Sequence, residues 1–347
     1  MFIMPRKSDK KPFDSGSLKS SSEIQGIIGK DGGFALILTI LTISLLMAFT
    51  MQFTSSMRSN HYSAANLKES IRLGYLVKSG NDFARAILWD DSNNFDSLHE
   101  DWAKMKSFVP PLALDNSHLK INILDLSGKI QLNKLVKDNG NDYNESQKEL
   151  LERFLKLDDF KLNYNDVEDL IAAIKDWIDN DSITEFGAEN DYYQSMNHPY
   201  SCRNKPLESL EELLLIKGMN KKIFYGDRET PGIARYFSIH GDGKININTA
   251  DLLVLRSLHE DITKEMIDEM HIYRTEENNE DELKNSNWYK NVSKMSSITI
   301  DSNLITTLST YFETRSIGFK DAMRKQGTAI IERKDNKMPK ILSWTVE

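Results

Sequence analysis

The chain has 347 residues, of which 39% are hydrophobic and 28% charged, and its formal net charge at pH 7 is −8. This length exceeds the usual size of one hydrophobic core, so two or more structural units are expected. A single cysteine, Cys202, excludes an intramolecular disulfide and a site built from several thiolates. The acidic balance argues against a partner with a phosphate backbone.

The N-terminal region combines a polar segment with an apolar one. Residues 1–33 are rich in Ser and Lys and lack hydrophobic periodicity, so we interpret them as a disordered leader with a net charge of +2. The 24 residues that follow, Phe34 to Met57, carry no charge. About 20 apolar residues span a bilayer as a helix, so this run predicts a transmembrane segment. A basic leader before an acidic remainder favours a topology with the leader inside and the bulk of the chain outside.

Hydrophobic spacing predicts that one helix continues from Phe34 to about Asp90, because no proline interrupts this stretch. Beyond the membrane, apolar and small residues recur at spacings of three and four, which is typical of a helix that packs on a sheet. The residues of this face are Leu73, Leu76, Val77, Gly80, Phe83, Ala84, Ile87 and Leu88.

Alternating hydrophobicity predicts a small antiparallel sheet. Residues 119–126 and 129–133 both alternate, and Ser127-Gly128 between them indicates a β-hairpin. The remaining strands are predicted near the C-terminus, at residues 308–317, 328–333 and 341–344.

Between about Glu145 and Ser309 the sequence is typical of helices, and we expect them at residues 147–157, 167–178, 207–216 and 250–258. Thr249 is the predicted N-cap of the last of these. The six residues from Gly128 resemble the six from Gly243, which is either chance or marks the beginning of two helical subdomains.

Together these elements predict an α+β fold with a long N-terminal helix packed on a small antiparallel sheet, an architecture that resembles that of pilins. A large all-α insertion of two small helical subdomains interrupts the sheet. The predicted boundaries are 1–33 for the leader, 34–57 for the transmembrane half of the helix, 58–144 for the first part of the α/β domain, 145–309 for the insertion, divided at about 242, and 310–347 for the closing strands.

Gly33 lies directly before the apolar run and Phe34 begins it, whereas a secretory signal peptide has its small-residue cleavage site after that run. This arrangement resembles the processing site of type IV prepilins and type II secretion pseudopilins. The resemblance implies that a prepilin peptidase cuts between Gly33 and Phe34, and that Phe34 then becomes N-methylated. An ordinary single-pass anchor is the alternative.

A constellation in the central block makes the resemblance more specific. It consists of the segments 173–181 (AIKDWIDND), 187–193 (GAENDYY), 199–200 (PY), 204–207 (NKPL), 211–219 (EELLLIKGM) and 244–250 (KININTA). In this order they resemble the K class of type II secretion minor pseudopilins, the general secretion pathway protein K family. Members of that class lack the Glu that major pilins carry at the fifth position of the mature chain, here Leu38. In a fibre that Glu neutralises the amine of a neighbouring subunit, so a subunit without it fits the fibre end.

The resemblance implies a minor pseudopilin at the pseudopilus tip that initiates or limits assembly during export of folded proteins across the outer membrane. The implied partners are minor pseudopilins of the I, J and H classes, the prepilin peptidase and the inner-membrane secretion platform. The implied location is the bacterial inner membrane, crossed once, with the bulk of the chain in the periplasm. A type IV pilus minor pilin with a priming or adhesin-like role is the alternative.

Five acidic residues lie close together in the sequence: Asp176, Asp179, Asp181, Glu189 and Asp191. Calcium takes six to eight oxygen ligands from flexible acidic loops, and carboxylates brought together without a cation repel one another. The spacing is not that of an EF-hand, and the residues alone leave a solvated acidic helix end as the alternative. The family resemblance implies a structural calcium site in this region.

The sequence gives no indication of an enzyme, since it has no phosphate-binding glycine loop, no paired histidines of the HExxH type and no nucleophile elbow. Residues 213–219 and 247–255 resemble helix-hairpin-helix modules, which bind DNA. Acidic neighbours such as Glu208, Glu211 and Glu212 would repel phosphate, so we expect no nucleic-acid partner.

Overall fold

The computed structural model describes residues 31–91, 94–105, 117–184, 186–334 and 337–347. It contains two compact units, one that ends at Glu69 and one from Ser70 to Glu347. The predicted leader up to residue 30 lies outside the described residues. The helices are α1 (Asp31–Asp90), α2 (Asp101–Lys104), α3 (Glu145–Leu155), α4 (Tyr164–Ile178), α5 (Asn190–Gln194), α6 (Lys221–Tyr225), α7 (Leu252–Arg256) and α8 (Lys264–Thr275). The strands are β1 (His118–Asp125), β2 (Ile130–Gln131), β3 (Phe237–Ser238), β4 (Ile245–Asn246), β5 (Ile305–Thr306), β6 (Tyr311–Lys320), β7 (Met323–Lys334) and β8 (Lys337–Val346).

In the first unit the uncharged run is helical, and every residue from Gly33 to Lys68 is exposed. Four threonine hydroxyls donate to carbonyl oxygens of their own helix, three or four residues earlier: Thr39, Thr42, Thr50 and Thr54. Such internal bonds satisfy the hydroxyls without water, as a helix in lipid requires. Within the described ranges, α1 is long and apolar enough to cross a bilayer by length and composition.

The second unit contains a four-stranded antiparallel sheet with the strand order β1-β6-β7-β8. Alternate residues of β1 and β6 are buried, which is the pattern of strands with one face against a core. The prediction of a long N-terminal helix, an antiparallel sheet and a substantial helical content is therefore confirmed.

The predicted face of the helix packs on this sheet between Ser70 and Asp90. Leu73, Val77 and Leu88 are almost fully buried there. Phe83 departs from the prediction, because its side chain is 44% exposed. Asn81 is buried instead, and the hydroxyl of Thr314 on β6 donates a hydrogen bond to its side-chain oxygen. A polar pair inside an apolar layer has no hydrophobic signal, so periodicity alone could not reveal it.

Helix and sheet approach so closely at Gly327 on β7 that a larger residue would have to displace its neighbours. A Cβ atom at this position would lie 2.4 Å from Val77 Cγ1 and 2.3 Å from the Trp344 ring. We expect Gly327→Ala to lower the free energy of unfolding by about 1–3 kcal/mol, the usual cost of overpacking. Thermal unfolding of the purified full chain, followed by circular dichroism, measures this change.

Gly74→Ala provides the matched control, since only the Lys325 ammonium, 3.9 Å from a Cβ there, comes near. Alanine favours helix over glycine by up to about 1 kcal/mol, so this control is expected to be neutral or stabilising. Equal losses at both positions would contradict the close helix–sheet packing.

The predicted hairpin from residue 119 to 133 is wrong. β1 pairs with β6, and this pairing continues past the strand end because Leu126 N–H donates to Tyr311 O at 2.9 Å. β2 pairs in parallel with β3 instead. Gly128 does not have the positive φ that a tight hairpin turn requires, and a Cβ there would lie 3.0–3.1 Å from Thr249 and Ala250. A segment of the insertion thus occupies the space beside the expected turn.

The weak internal repeat has a structural counterpart. Each copy contains a two-residue strand that pairs in parallel with a strand at the far end of a helical segment, β2 with β3 and β4 with β5. The expected N-cap at Thr249 is wrong, because Asp251 accepts a hydrogen bond from Leu253 N and caps α7. The predicted boundaries of the domains stay a prediction.

Candidate metal centre

The acidic centre begins at the C-terminal end of α4. This helix buries a continuous apolar face, with Leu170, Ile174 and Ile178 in the core. Asp179 follows as the C-cap, with extended backbone angles and its N–H bonded to Lys175 O at 2.9 Å. The helix therefore ends with Asp179 turned into the protein, where its side chain is completely buried.

The chain returns to the end of α4 through a close approach at Gly187. A Cβ at this position would lie 2.5 Å from Asp176 Oδ2 and 2.6 Å from the carbonyl of Ala172, so only glycine fits. Glu189 follows two residues later as the N-cap of α5, and it accepts a hydrogen bond from Asn190 N at 3.2 Å. A short helix and a glycine thus position the glutamate.

The structure brings three of the five predicted ligands together. One carboxylate oxygen from each of Asp179, Asp181 and Glu189 lies within 4.8 Å of the others. Asp179 and Glu189 are buried, while Asp181 is half-buried and accepts a hydrogen bond from Ile183 N at 2.8 Å. Three convergent carboxylates can supply part of the oxygen shell that calcium takes.

The other two predicted ligands lie elsewhere. Asp176 is completely buried beside Gly187, but it is not among the three convergent carboxylates. Asp191 is exposed in the first turn of α5, where a negative charge is favourable next to the helix N-terminus. The sequence could not separate these roles, because all five residues have the same chemistry.

Burial controls the electrostatics of the centre. It raises the pKa of Asp179 to about 6, against the opposing effect of Lys175, whose ammonium lies 3.0 Å from Asp179 Oδ2. Burial also raises the pKa of Glu189, while an Asn204 hydrogen bond opposes this shift. One buried ammonium therefore faces several carboxylates, which leaves a negative excess.

Lys175 and Asn204 belong to the sequence motifs, but neither was predicted as a residue of the site. Lys175 stands four residues before Asp179 on a helix, a spacing that places the two on one face and could have been recognised. Asn204 has a left-handed backbone with φ of 46°, and its amide nitrogen contacts Glu189 Oε2 at 3.4 Å. Its proximity depends on a distant loop, so no local pattern indicates it.

Two buried oxygen atoms of the centre fit a cation. Among the described residues, Asp179 Oδ1 and Glu189 Oε1 are buried and have no hydrogen-bond donor. An unsatisfied buried carboxylate oxygen costs free energy, and a hard cation would remove this cost. The donor set of carboxylates in a loop suits calcium better than zinc, which prefers nitrogen and sulfur.

The residues of the predicted processing site lie near the beginning of α1. Phe34 is 70% exposed and Leu38 is 49% exposed, and nothing lies within 4 Å of the place where a Cβ on Gly33 would be. Cleavage at Gly33 and the role of Leu38 stay predictions.

The fold is a long N-terminal helix that packs on an antiparallel sheet, with a helical insertion between the paired strands β1 and β6. The profile of the family described as type II secretion system (T2SS), protein K, matches residues 128–225. This region contains the acidic centre. The resemblance to the K class that the sequence motifs indicate is therefore confirmed by a profile match to residues 128–225.

Similar proteins agree with this result. The chain is 26% identical over 210 residues to type II secretion system protein K of Aeromonas hydrophila, covering 56% of this chain and 61% of that protein. It is 23% identical over 198 residues to the Klebsiella pneumoniae protein of the same description, covering 55% and 59%. The match thus spans about three fifths of the length of these relatives.

A solved structure has the same fold. It is the crystal structure of the GspK-GspI-GspJ complex from the type 2 secretion system of enterotoxigenic Escherichia coli. The match has a TM-score of 0.63 at 16% identity, and it covers 82% of this chain and 99% of the matched chain.

Proposed function

We propose that this chain is a minor pseudopilin of the type II secretion system, located at the pseudopilus tip, where it initiates or limits assembly. The proposal is supported chiefly by the match of the protein K family profile to residues 128–225, which lie in the sequence between the paired strands β1 and β6. A long helix on an antiparallel sheet does not distinguish one class of pilin-like protein from another. The helical insertion is therefore the feature that favours the K class.

The position at the tip rests on the size of the insertion. Both helical segments, from β2 to β3 and from β4 to β5, lie in the sequence between the paired strands β1 and β6. A tightly packed helical fibre leaves little room for such bulk in each repeating subunit, whereas the end of the fibre leaves one side open. The role is structural rather than enzymatic.

The proposed partners are other minor pseudopilins. The matched crystal structure is a complex of GspK with GspI and GspJ. By analogy, this chain would bind partners of the I and J classes, with the H class below them, and would interact with the inner-membrane secretion platform. The chain would cross the inner membrane once through the uncharged part of α1 and present its second unit to the periplasm.

We further propose that Asp179, Asp181 and Glu189 hold a structural calcium ion. Support comes from their mutual distance within 4.8 Å, from the burial of two of them and from the two oxygen atoms without a donor. Lys175 neutralises only part of this charge. The ion would join the end of α4 to the beginning of α5 and so stabilise the loop between them.

Processing at Gly33 tests the proposal that the chain is a pseudopilin precursor. When the full chain is co-expressed with a prepilin peptidase, intact-mass measurement is expected to show loss of the first 33 residues, with Phe34 at the new N-terminus. Gly33→Val is expected to abolish this cleavage, because the branched side chain blocks the residue before the scissile bond. The adjacent Gly32→Val, one residue further from that bond, serves as the matched control and is expected to be cut. An uncut wild-type chain would contradict the proposal and favour a plain membrane anchor.

A further inference from the structure

A second cluster of buried charges lies where the helical insertion rejoins the sheet. Arg333 on β7 donates from Nη1 to Asp91 at 2.6 Å. Its Nη2 donates to Asp96 and also, at 2.9 Å, to the carbonyl oxygen of Ser309. Ser309 is the residue at which the chain leaves the insertion before β6. Arg333 therefore ties the closing strand of the sheet to the end of the insertion.

Ser309 extends the cluster to a second buried aspartate. Its N–H donates a hydrogen bond to Asp96 Oδ2 and its hydroxyl donates one to Asp125 Oδ2, each at 2.6 Å. Asp125, at the end of β1, also accepts from Ser127 N at 2.7 Å and from the Thr249 hydroxyl. The connected groups thus come from β7, from the loop after α1, from β1 and from both ends of the second helical segment.

The cluster holds more negative than positive charge. Carboxylates of Asp91, Asp96 and Glu100 have oxygen atoms within 4.8 Å of one another, and Asp125 is also close enough to raise the pKa of Asp96. On the positive side stand Arg333 and, near Asp125, Lys129. The Arg333 guanidinium occupies the position between Asp91 and Asp96, so this cluster already has a cation and we assign no metal to it.

We propose that the hydrogen-bonded cluster of Asp96, Ser309, Asp125 and Arg333 is a proton-sensitive latch between the helical insertion and the sheet. A proton on one of the two buried aspartates relieves their mutual repulsion and closes the latch. When both ionise, Arg333 compensates only part of the negative charge that Asp96 and Asp125 place on the two sides of Ser309, and the end of the insertion loosens from the sheet. The latch does not depend on the proposed role in secretion.

Burial sets the pH range in which the latch responds. It raises the pKa of Asp96 to about 7, although Arg333 opposes the shift, and it also raises the pKa of Asp125. The pKa of Asp96 in the folded state exceeds its ordinary value of 3.8. The contribution of Asp96 to folding stability is therefore complete below pH 3.8 and is lost as the pH rises toward 7. The latch is therefore closed at acidic pH and opens around neutrality.

The test compares the full-length wild type with Asp96→Asn in detergent at saturating calcium, from pH 5 to 8. Because one carboxyl group with a raised pKa titrates, the folding equilibrium constant of the wild type is expected to fall by about tenfold per pH unit between pH 5 and 6. Asp96→Asn cannot titrate, so its pH slope is expected to be smaller by this amount. Asp142→Asn, at an exposed loop position, is the control and is expected to keep the wild-type slope.

A local measurement keeps the test valid if Asp96→Asn folds poorly. Hydrogen exchange of the Ser309 and Arg333 amides in the wild type, corrected for the intrinsic effect of pH, reports the latch itself, because these amides donate to Asp96 and to Thr310 O. Their protection is expected to fall by about tenfold or more between pH 5.5 and 8. Constant protection across this range, or equal pH slopes for wild type and Asp96→Asn, would overturn the proposal.

Discussion

Replacing Asp181 by Asn and Glu189 by Gln in one variant is expected to reverse the order of stability with and without calcium. In the absence of the ion, the wild type holds convergent buried carboxylates that repel one another, so the neutral isosteric variant is expected to melt at the same or a higher temperature. The variant keeps the Lys175–Asp179 ion pair, and with it the only ammonium within 4 Å of Asp179 among the described residues.

With calcium the order is expected to change. A ligand that binds only the folded state at 100 times its Kd adds about 2.7 kcal/mol to the free energy of unfolding. The wild type is expected to show this gain, whereas the double variant shows little or none because it lacks two of three ligands. Thermal unfolding of the full chain in chelator and in excess calcium measures both effects.

Asp191→Asn is the matched control, since Asp191 is acidic and close in sequence but exposed and outside the cluster. It is expected to respond to calcium as the wild type does. If the wild type melts at the same temperature in chelator and in calcium, the calcium proposal is wrong.

The second large effect is expected at Trp288, in the core between β4 and β5. Its side chain is 1% exposed, its ring stacks on Tyr273 with centroids 5.5 Å apart, and its indole N–H donates to Asn248 Oδ1 at 2.7 Å. We expect Trp288→Ala to lower the free energy of unfolding by about 3–5 kcal/mol through the cavity it leaves. The buried Asn248 oxygen, left without this donor, adds about 1–3 kcal/mol.

Two further variants separate the causes of this loss. Trp288→Phe fills most of the cavity and removes only the indole N–H, so we expect a smaller loss than for alanine. Trp89→Ala removes a tryptophan that is 48% exposed, and it is expected to change stability by about 0.5 kcal/mol or less. Similar losses for Trp89→Ala and Trp288→Ala would contradict the packing described for this core.

Local patterns were sufficient for the long helix and for the strands of the sheet. The spacing of Leu73, Val77 and Leu88 predicts a helix face, and these side chains are buried. The pairing of the strands could not be predicted from local patterns, because β1 pairs with β6, almost 200 residues later in the sequence. Alternation within residues 119–126 identifies a strand but carries no information about its neighbour, and the hairpin prediction failed for this reason.

The acidic centre was predictable in composition but not in geometry. Three of five acids converge because Asp179 caps a buried helix and Glu189 caps the next one, while Asp191 points into solvent from the same short helix. Which acid is buried depends on packing between elements. The partners Lys175 and Asn204 belong to the site for the same reason, and only Lys175 had a local signal in its spacing.

The proposed role as a K-class minor pseudopilin is best tested by assembling the full chain with I-class and J-class pseudopilins from the same bacterium. The proteins would be co-expressed with a prepilin peptidase, extracted in detergent and purified through a tag on this chain, and the mass of the complex would then be determined. We expect a discrete complex with one copy of each protein. Recovery of this chain alone, or as a homopolymer, would contradict a minor pseudopilin of the K class.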